Sequence, residues 1–272
     1  MGKSQSDTTK LKIVIQALFR QTVASRLIQY DPSINLTLPK TTKGKHRSIT
    51  DEERKAILEV ASWPLNKDGK KNRAGLWVLM ILYCGLRPGE TAALHWTDID
   101  LNTGYITISA AKESGSSREK GPKTDAGVRR VPIPDIFLER LKSAQGKPQD
   151  YVFTQRDEKT PLTESSMKRM WEVFKKYVKY VDVELGAKEV KIKPEGKRKH
   201  TTVIQDSVVA DDLVPYCLRH TYCTDLQRAG VPINVAKDLM GHSDISVTAN
   251  IYTHTTDDVL DDAKAKINDA NK

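Results

Sequence analysis

Residues 76–84 read Leu-Trp-Val-Leu-Met-Ile-Leu-Tyr-Cys, without a charge, and stop at Gly85. Such a run falls well short of the ~20 residues needed to span a bilayer, so the rest of the chain has to supply a core around it. Glycine is a helix-stop residue. Directly after it, Arg87-Pro88-Gly89-Glu90 opens a further helix, with Pro88 suited to the first turn. The composition allows a sizeable core: 38% of residues are hydrophobic and 29% charged, an ordinary globular balance. The 272 residues suffice for one large domain, or for one domain and a fragment.

Residues 1–10 are polar and are expected to fray. From 11 to 28 the apolar residues Leu11, Val14, Ile15, Leu18, Phe19, Val23 and Leu27 fall at helical spacing. One helix cannot make a domain, so this one is expected to be the last helix of a domain whose earlier part is absent from the sequence. Residues 38–47, Leu-Pro-Lys-Thr-Thr-Lys-Gly-Lys-His-Arg, are basic and aperiodic, which suits a linker along DNA and suits a solvated tail equally. Thr50-Asp51-Glu52-Glu53 then has capping-box spacing and starts a helix that reaches about Ser62.

Residues 105–110 and 128–133 predict two strands, joined by a long mobile tip rich in Lys, Gly and Ser. Residues 163–181 predict a helix with Met167, Met170, Trp171, Phe174 and Val178 on one buried face. Residues 181–209 mix strand-like pieces with a basic run and read as an insertion in the form of a hairpin. Helices follow at 218–229, ending at Gly230, at 232–240, ending at Gly241, and at about 257–267. The expected fold class is α+β, mostly helical with a small antiparallel sheet.

Lysine and arginine outnumber acids by 44 to 35, a formal charge of +9. That excess favours a polyanionic partner, because neutralised phosphates release condensed counterions; a merely basic protein fits the charge as well. The cysteines, Cys84, Cys217 and Cys223, are odd in number, suggest no disulfide framework and fit a reducing compartment. Cys217, His220 and Cys223 lie three apart, but no second cluster has zinc-site spacing, so neither a metal nor another cofactor is expected. The amino terminus lacks the apolar stretch of a signal peptide. A cytoplasmic, nucleoid-associated protein with no membrane segment is the expectation.

Taken singly, the chemically suggestive residues have plain structural readings. Arg87 fits an exposed cap, Arg219-His220 a structural pair, His242 the end of a helix, and Tyr252 a core position. Taken in order they form a set: Gly85-Leu86-Arg87-Pro88-Gly89-Glu90; Lys123-Thr124 before Arg130-Val131-Pro132-Ile133; Leu218-Arg219-His220-Thr221; Met240-Gly241-His242-Ser243; Ile251-Tyr252-Thr253-His254. Over about residues 48–267 this set resembles the tyrosine recombinases, especially phage and conjugative-transposon integrases.

The resemblance implies a domain division: 1–38 as the carboxy-terminal remnant of a helical core-binding domain, 39–48 as a basic linker, and 49–272 as the catalytic domain. It implies a site-specific recombinase of double-stranded DNA that acts as a homotetramer, cuts through a 3′-phosphotyrosyl bond, exchanges strands through a Holliday junction, and needs neither metal nor ATP. Arg87 and Arg219 would hold the scissile phosphate, for which a planar guanidinium fork is well suited. Lys123 would protonate the departing 5′ oxygen, although Lys112 and Lys120 are close in sequence. His242 would handle the nucleophile's proton, and Tyr252 would be the nucleophile. A phenol with a pKa near 10 needs neighbouring cations to act as one.

Glu90 either buttresses Arg87 or is a first-turn helix carboxylate. His220 either supports the site or is structural. Arg129 and Arg130 are expected to face DNA or solvent. Leu94 to Asp100 reads as fold-forming. The terminal helix, with Val259, Leu260, Ala263 and Ile267 on one side, docks on a neighbouring subunit or packs on its own. The sequence departs from the family pattern at Tyr216, where many members have histidine, and in a His242–Tyr252 spacing one residue longer than in many relatives. A type IB topoisomerase and a non-cleaving DNA-binding protein are the alternatives, and the presence of all five catalytic residue types argues against the second.

Overall fold

In a computed structural model, residues 5–38, 47–64, 72–112, 119–120, 128–184, 188–192, 201–205 and 207–252 are described, together with Lys264 and Asn268. The chain forms two compact units, Met1–His46 and Arg47–Lys272.

The smaller unit holds helix α1, Gln5–Ala24. It starts earlier than its apolar spacing suggested and ends earlier too, because Arg26 takes a left-handed backbone conformation (φ 57°) that no α-helix continues through. Gln16 Nε2 donates to the Ser33 carbonyl at 3.3 Å, folding the following turn back on the helix. Leu11, Val14 and Leu18 remain exposed on it.

The larger unit begins with a fastening. Arg47 donates to both carboxylate oxygens of the buried Glu53, at 2.6 and 2.7 Å, and to Asp212 at 2.9 Å. Ser48 Oγ lies 3.2 Å from His220 Nδ1 and 2.7 Å from Thr224 Oγ1, and the Ile49 amide donates to Thr221 Oγ1 at 2.9 Å. Helix α2, Asp51–Ser62, carries the capping box the sequence announced. Helix α3, Arg73–Cys84, runs through the middle of the core: Trp77, Val78, Met80, Ile81 and Leu82 are fully buried. Truncating one of these to alanine is worth roughly 2–5 kcal/mol, because a cavity adds to the lost transfer energy. Helix α4 is Pro88–Ala93.

A 3-10 turn at Trp96–Asp98 leads to strands β1 (Ile99–Asp100) and β2 (Tyr105–Ile108). A short hairpin of β3 (Ala111–Lys112) and β4 (Glu119–Lys120) follows, and then β5 (Arg129–Pro132). The three-stranded antiparallel sheet has the order β1-β2-β5, with Ile106 opposite Val131 and Thr107 opposite Arg130. Leu94, Trp96 and Ile99 are buried, and the Asp98 carboxylate accepts from the His95 amide at 2.8 Å, so this stretch does form fold.

Helix α5, Asp135–Ala144, was not anticipated; only Phe137 and Leu141 are buried, too few to register as a period. Helix α6, Glu164–Glu184, buries Trp171, Phe174 and Val178 on the expected face. The insertion is a hairpin of β6 (Lys188–Ile192) and β7 (Thr201–Gln205). Helices α7 (Pro215–Arg228), α8 (Ile233–Met240) and α9 (Ile245–Tyr252) complete the unit. Helix α9 escaped the sequence reading because its β-branched residues are weak helix formers and Thr248 is its one buried residue. The expected final helix lies almost wholly outside the described residues. Among the described residues, no helix is long and apolar enough to cross a membrane.

Candidate active site

Two glycine turns shape the site. Gly85 (φ 63°) ends α3, and a Cβ there would sit 2.1 Å from the Tyr222 ring, so both the backbone and the packing require glycine. Gly241 (φ 61°) ends α8, with a Cβ position 2.7 Å from an Arg129 guanidinium nitrogen. The first turn presents Arg87, the second presents His242, and α7 places Arg219 between them.

The guanidinium groups share one anchor. The last carbonyls of α8 accept from three arginines in succession: Leu239 from Arg129 Nε at 2.8 Å, Met240 from Arg219 Nη2, and Gly241 from Arg87 Nη2 at 2.8 Å. Carbonyls at a helix carboxyl end lack intrahelical partners and carry partial negative charge, so cations are favoured there. Arg219 also donates through Nη1 to the carbonyl of Gly85, linking the two turns.

Glu90 is the common counter-charge. It accepts from the Arg87 amide (2.7 Å) and Arg87 Nη1 (2.8 Å), and both of its oxygens accept from Arg129, at 2.9 and 2.8 Å. Arg219 Nη1 lies 4.0 Å away. Burial would raise the Glu90 carboxyl, but the Arg129 hydrogen bonds and the charges of Arg129, Arg219 and Arg87 bring it down to about 2. Glu90 thus combines both sequence readings: it closes a capping box with the Arg87 amide and it buttresses that side chain.

Three guanidiniums face one carboxylate, an excess of two positive charges. Burial, then the neighbouring Arg87 charge, lowers Arg219 to about 9, which leaves it protonated at neutral pH. The Arg87 side chain is 34% exposed and that of Arg219 only 4%.

His242 is neutral in this setting. Burial, with the charges of Arg219, Arg87 and Arg129, lowers it to about 4. Its tautomer follows from its neighbours. Arg219 Nη2, which can only donate, lies 3.3 Å from Nε2, so Nε2 accepts, and Nδ1 carries the hydrogen toward Thr248 Oγ1 at 2.9 Å. The lone pair of a neutral imidazole is therefore aimed into the cationic cluster.

Tyr252, the last residue of α9, does not meet the guanidiniums. Its hydroxyl donates to the Val231 carbonyl at 3.2 Å, its own carbonyl accepts from Gln227 Nε2 at 2.9 Å, and its ring packs on Tyr222, Cys223 and Met240. Burial, then Cys223, raises the phenol to about 12. The phenolate-favouring field expected from the sequence is therefore not felt at this position. Tyr216 is 45% exposed on α7, one turn before Arg219. Lys123 lies outside the described residues, as do residues 253–263.

The expectation for Arg129 is corrected. It is 7% exposed and engaged with Glu90 and α8, and faces neither DNA nor solvent. The signal was present in the alternation: Val131 and Ile133 point inward, and Arg129 shares their parity. Arg130 points out as expected, its guanidinium 4.2 Å above the Tyr105 ring. His220 Nδ1 lies against Ser48 on the entry segment. Cys84, Cys217 and Cys223 are buried free thiols, and among the described residues no group of His, Cys, Asp and Glu gathers as metal ligands.

Comparison with known proteins places the chain in a family. Residues 47–258 match the phage integrase family, which covers well over half of the sequence. The chain belongs to that family and is a site-specific tyrosine recombinase. It is 29% identical to a XerC-like tyrosine recombinase of Caldanaerobacter subterraneus subsp. tengcongensis, over 98% of this chain and 67% of the relative. It is 27% identical to the transposase of transposon Tn916 from Enterococcus faecalis, over 87% of this chain and 52% of that protein. The fold matches that of the Tn1549 transposon integrase, solved in complex with a circular intermediate DNA, with a TM-score of 0.70, 20% identity, and coverage of 98% of this chain and 81% of that one.

Proposed function

We propose that the chain cuts and rejoins double-stranded DNA of a mobile element, with Tyr252 attacking a phosphate held by Arg87 and Arg219. The single observation that carries this reading is the cluster at the end of α8, where three arginines face one carboxylate. A phosphodiester brings one negative charge and gains a share of a second in its pentavalent transition state, which is the charge this cluster lacks. Such stabilisation is mainly electrostatic.

Tyr252 leaves Val231 when DNA binds and brings its hydroxyl to the phosphate. His242 Nε2 takes the phenol proton, and the new bond is a 3′-phosphotyrosyl ester. Lys123, from the segment between β4 and β5, gives a proton to the departing 5′ oxygen. Tyr216, exposed beside Arg219, donates a hydrogen bond to the phosphate region and leaves proton abstraction to His242, since tyrosine is a poor base near neutral pH. The ester keeps the bond energy, so resealing needs no ATP.

Residues 1–38 act as the end of a DNA-gripping helical domain, 39–48 as the linker and 49–272 as the catalytic domain. A homotetramer, joined in part by the carboxy-terminal segment, carries exchange through a Holliday junction on DNA in the cytoplasm. The test is covalent capture: nicked duplexes from a random-sequence pool are incubated with the chain, and adducts that survive denaturation are mapped by mass spectrometry. Tyr252→Phe is expected to bind the captured sequence and form no adduct. An adduct that persists in this variant removes Tyr252 from the role.

A further inference from the structure

We propose that Arg129 is a positioning residue for strand cleavage: from β5 it grips Glu90 end-on, through Nη1 and Nη2, so that Arg87 and Arg219 keep free N–H groups for the scissile phosphate. This rests on the reading of Arg87 and Arg219 as phosphate ligands.

The geometry separates Arg129 from the other two. It is buried, and its donors are directed inward: Nε to the Leu239 carbonyl, Nη1 and Nη2 to the two oxygens of Glu90. Paired bonds to both oxygens fix the carboxylate plane, which a single bond does not. Arg87, by contrast, gives Glu90 one guanidinium bond and gives Gly241 another. A guanidinium has five N–H donors, so Arg87 retains several for an incoming ligand, and it is the more exposed of the two proposed phosphate ligands.

Without Arg129, each Glu90 oxygen would lose its second donor and keep only one, from the Arg87 amide or Nη1, in a buried setting with Arg87 and Arg219 as the remaining cations. The carboxylate would draw their forks onto itself and compete with the phosphate. The cluster would also fall from two excess positive charges to one. Arg129 further ties β5 to the last turn of α8. Its guanidinium packs on Gly241, where a side chain would displace it.

The titrating group is Glu90. It is faced by Arg87 from its own helix, Arg129 from β5, Arg219 from α7 and the neutral His242 at the end of α8. Burial opposes its charge, and Arg129 is the leading group that holds it ionised. Removing that group while the burial stays raises the Glu90 carboxyl toward the pH range of the assay.

The experiment uses the full chain and the nicked duplex captured above, with single-turnover adduct formation followed against DNA concentration from pH 4 to 8. Arg129→Lys is expected to keep the fold and to lower the saturating rate by about 100-fold, the scale of an ångström-level misplacement of reacting groups. The half-saturating DNA concentration should move by less than about threefold, as expected when an interaction made in the transition state is lost. Arg129→Gln is expected to move the acid limb of the rate profile well above the one near pH 4 that His242 gives the parent chain, and Glu90→Gln in that background should return it toward the parent position.

Arg87→Lys runs in parallel. Wild-type rates in both Arg129 variants beside a slow Arg87→Lys variant overturn the positioning role and leave the phosphate-ligand reading standing. Wild-type rates in Arg87→Lys overturn that reading and this proposal with it. A half-saturating concentration that rises as far as the rate falls makes Arg129 a DNA contact and also overturns the proposal. If Arg129→Gln does not fold, Arg129→Lys decides through the same rate and concentration readings.

Discussion

The arginine cluster and the tyrosine end of the catalytic unit are built on opposite principles. Arg87, Arg129 and Arg219 are each held by at least two groups, among them the carbonyls of Gly85, Leu239, Met240 and Gly241 and the Glu90 carboxylate. Tyr252 ends a helix with one buried residue, and among the described residues its hydroxyl donates to Val231 alone. The side proposed to stabilise charge is assembled before substrate arrives, while the residue proposed to form the bond rests elsewhere. For an enzyme that cuts DNA this division is protective, because a phenol raised to about 12 is a poor nucleophile until it moves.

The largest expected effect that sharpens this contrast lies on the built side. Arg87→Lys should bind the captured duplex and form adduct about 100- to 1000-fold more slowly, as a point charge replaces a fork, which is the scale of losing one preorganised donor. Adduct formation at the parent rate would erase the distinction between the two regions. A smaller effect belongs to the delivered side. Gln227→Leu removes the donor to the Tyr252 carbonyl. Loosening that seat should raise the adduct rate about threefold, in line with the roughly 0.5–1.5 kcal/mol net value of one hydrogen bond. A slower variant would show instead that the seat is part of the reactive arrangement.

The smallest effect is in stability against pH. His242 is lowered from 6.5 to about 4, so the unfolded chain binds its proton more readily, and stability falls as pH drops from about 6.5 to about 4. Glu90, lowered from 4.5 to about 2, extends the loss below pH 4.5. Urea midpoints measured across this range should lose only their upper portion of pH dependence in His242→Asn. An unchanged upper portion would mean that the imidazole is not held neutral by its surroundings.

The same contrast governs what the sequence revealed. The built side is written in short motifs whose turns need particular residues. Gly85 before Arg87, and Gly241 before His242, sit at positive φ, so helix ends and reactive groups could be placed together. The capping box at Thr50 and the buried face of α6 were equally legible, because both depend on local spacing. Arg129 was missed because charge was taken as a sign of exposure. Its strand parity with Val131 pointed inward, but its partner Glu90 lies far away in sequence. Helix α9 was missed because tertiary packing, not propensity, makes it helical. The seat of Tyr252 depends on Gln227 and Val231, polar and backbone partners in other segments that leave no periodic trace.

The anchor at the end of α8 is made of peptide carbonyls, and this sets what mutation can do to it. Exchanging the Leu239 side chain for another good helix former leaves the acceptors where they are. A one-residue deletion there shifts all three acceptors by a register step at once, and a proline kinks the turn that carries them. The grip on the arginines therefore depends on the length of this helix and not on its exposed side chains.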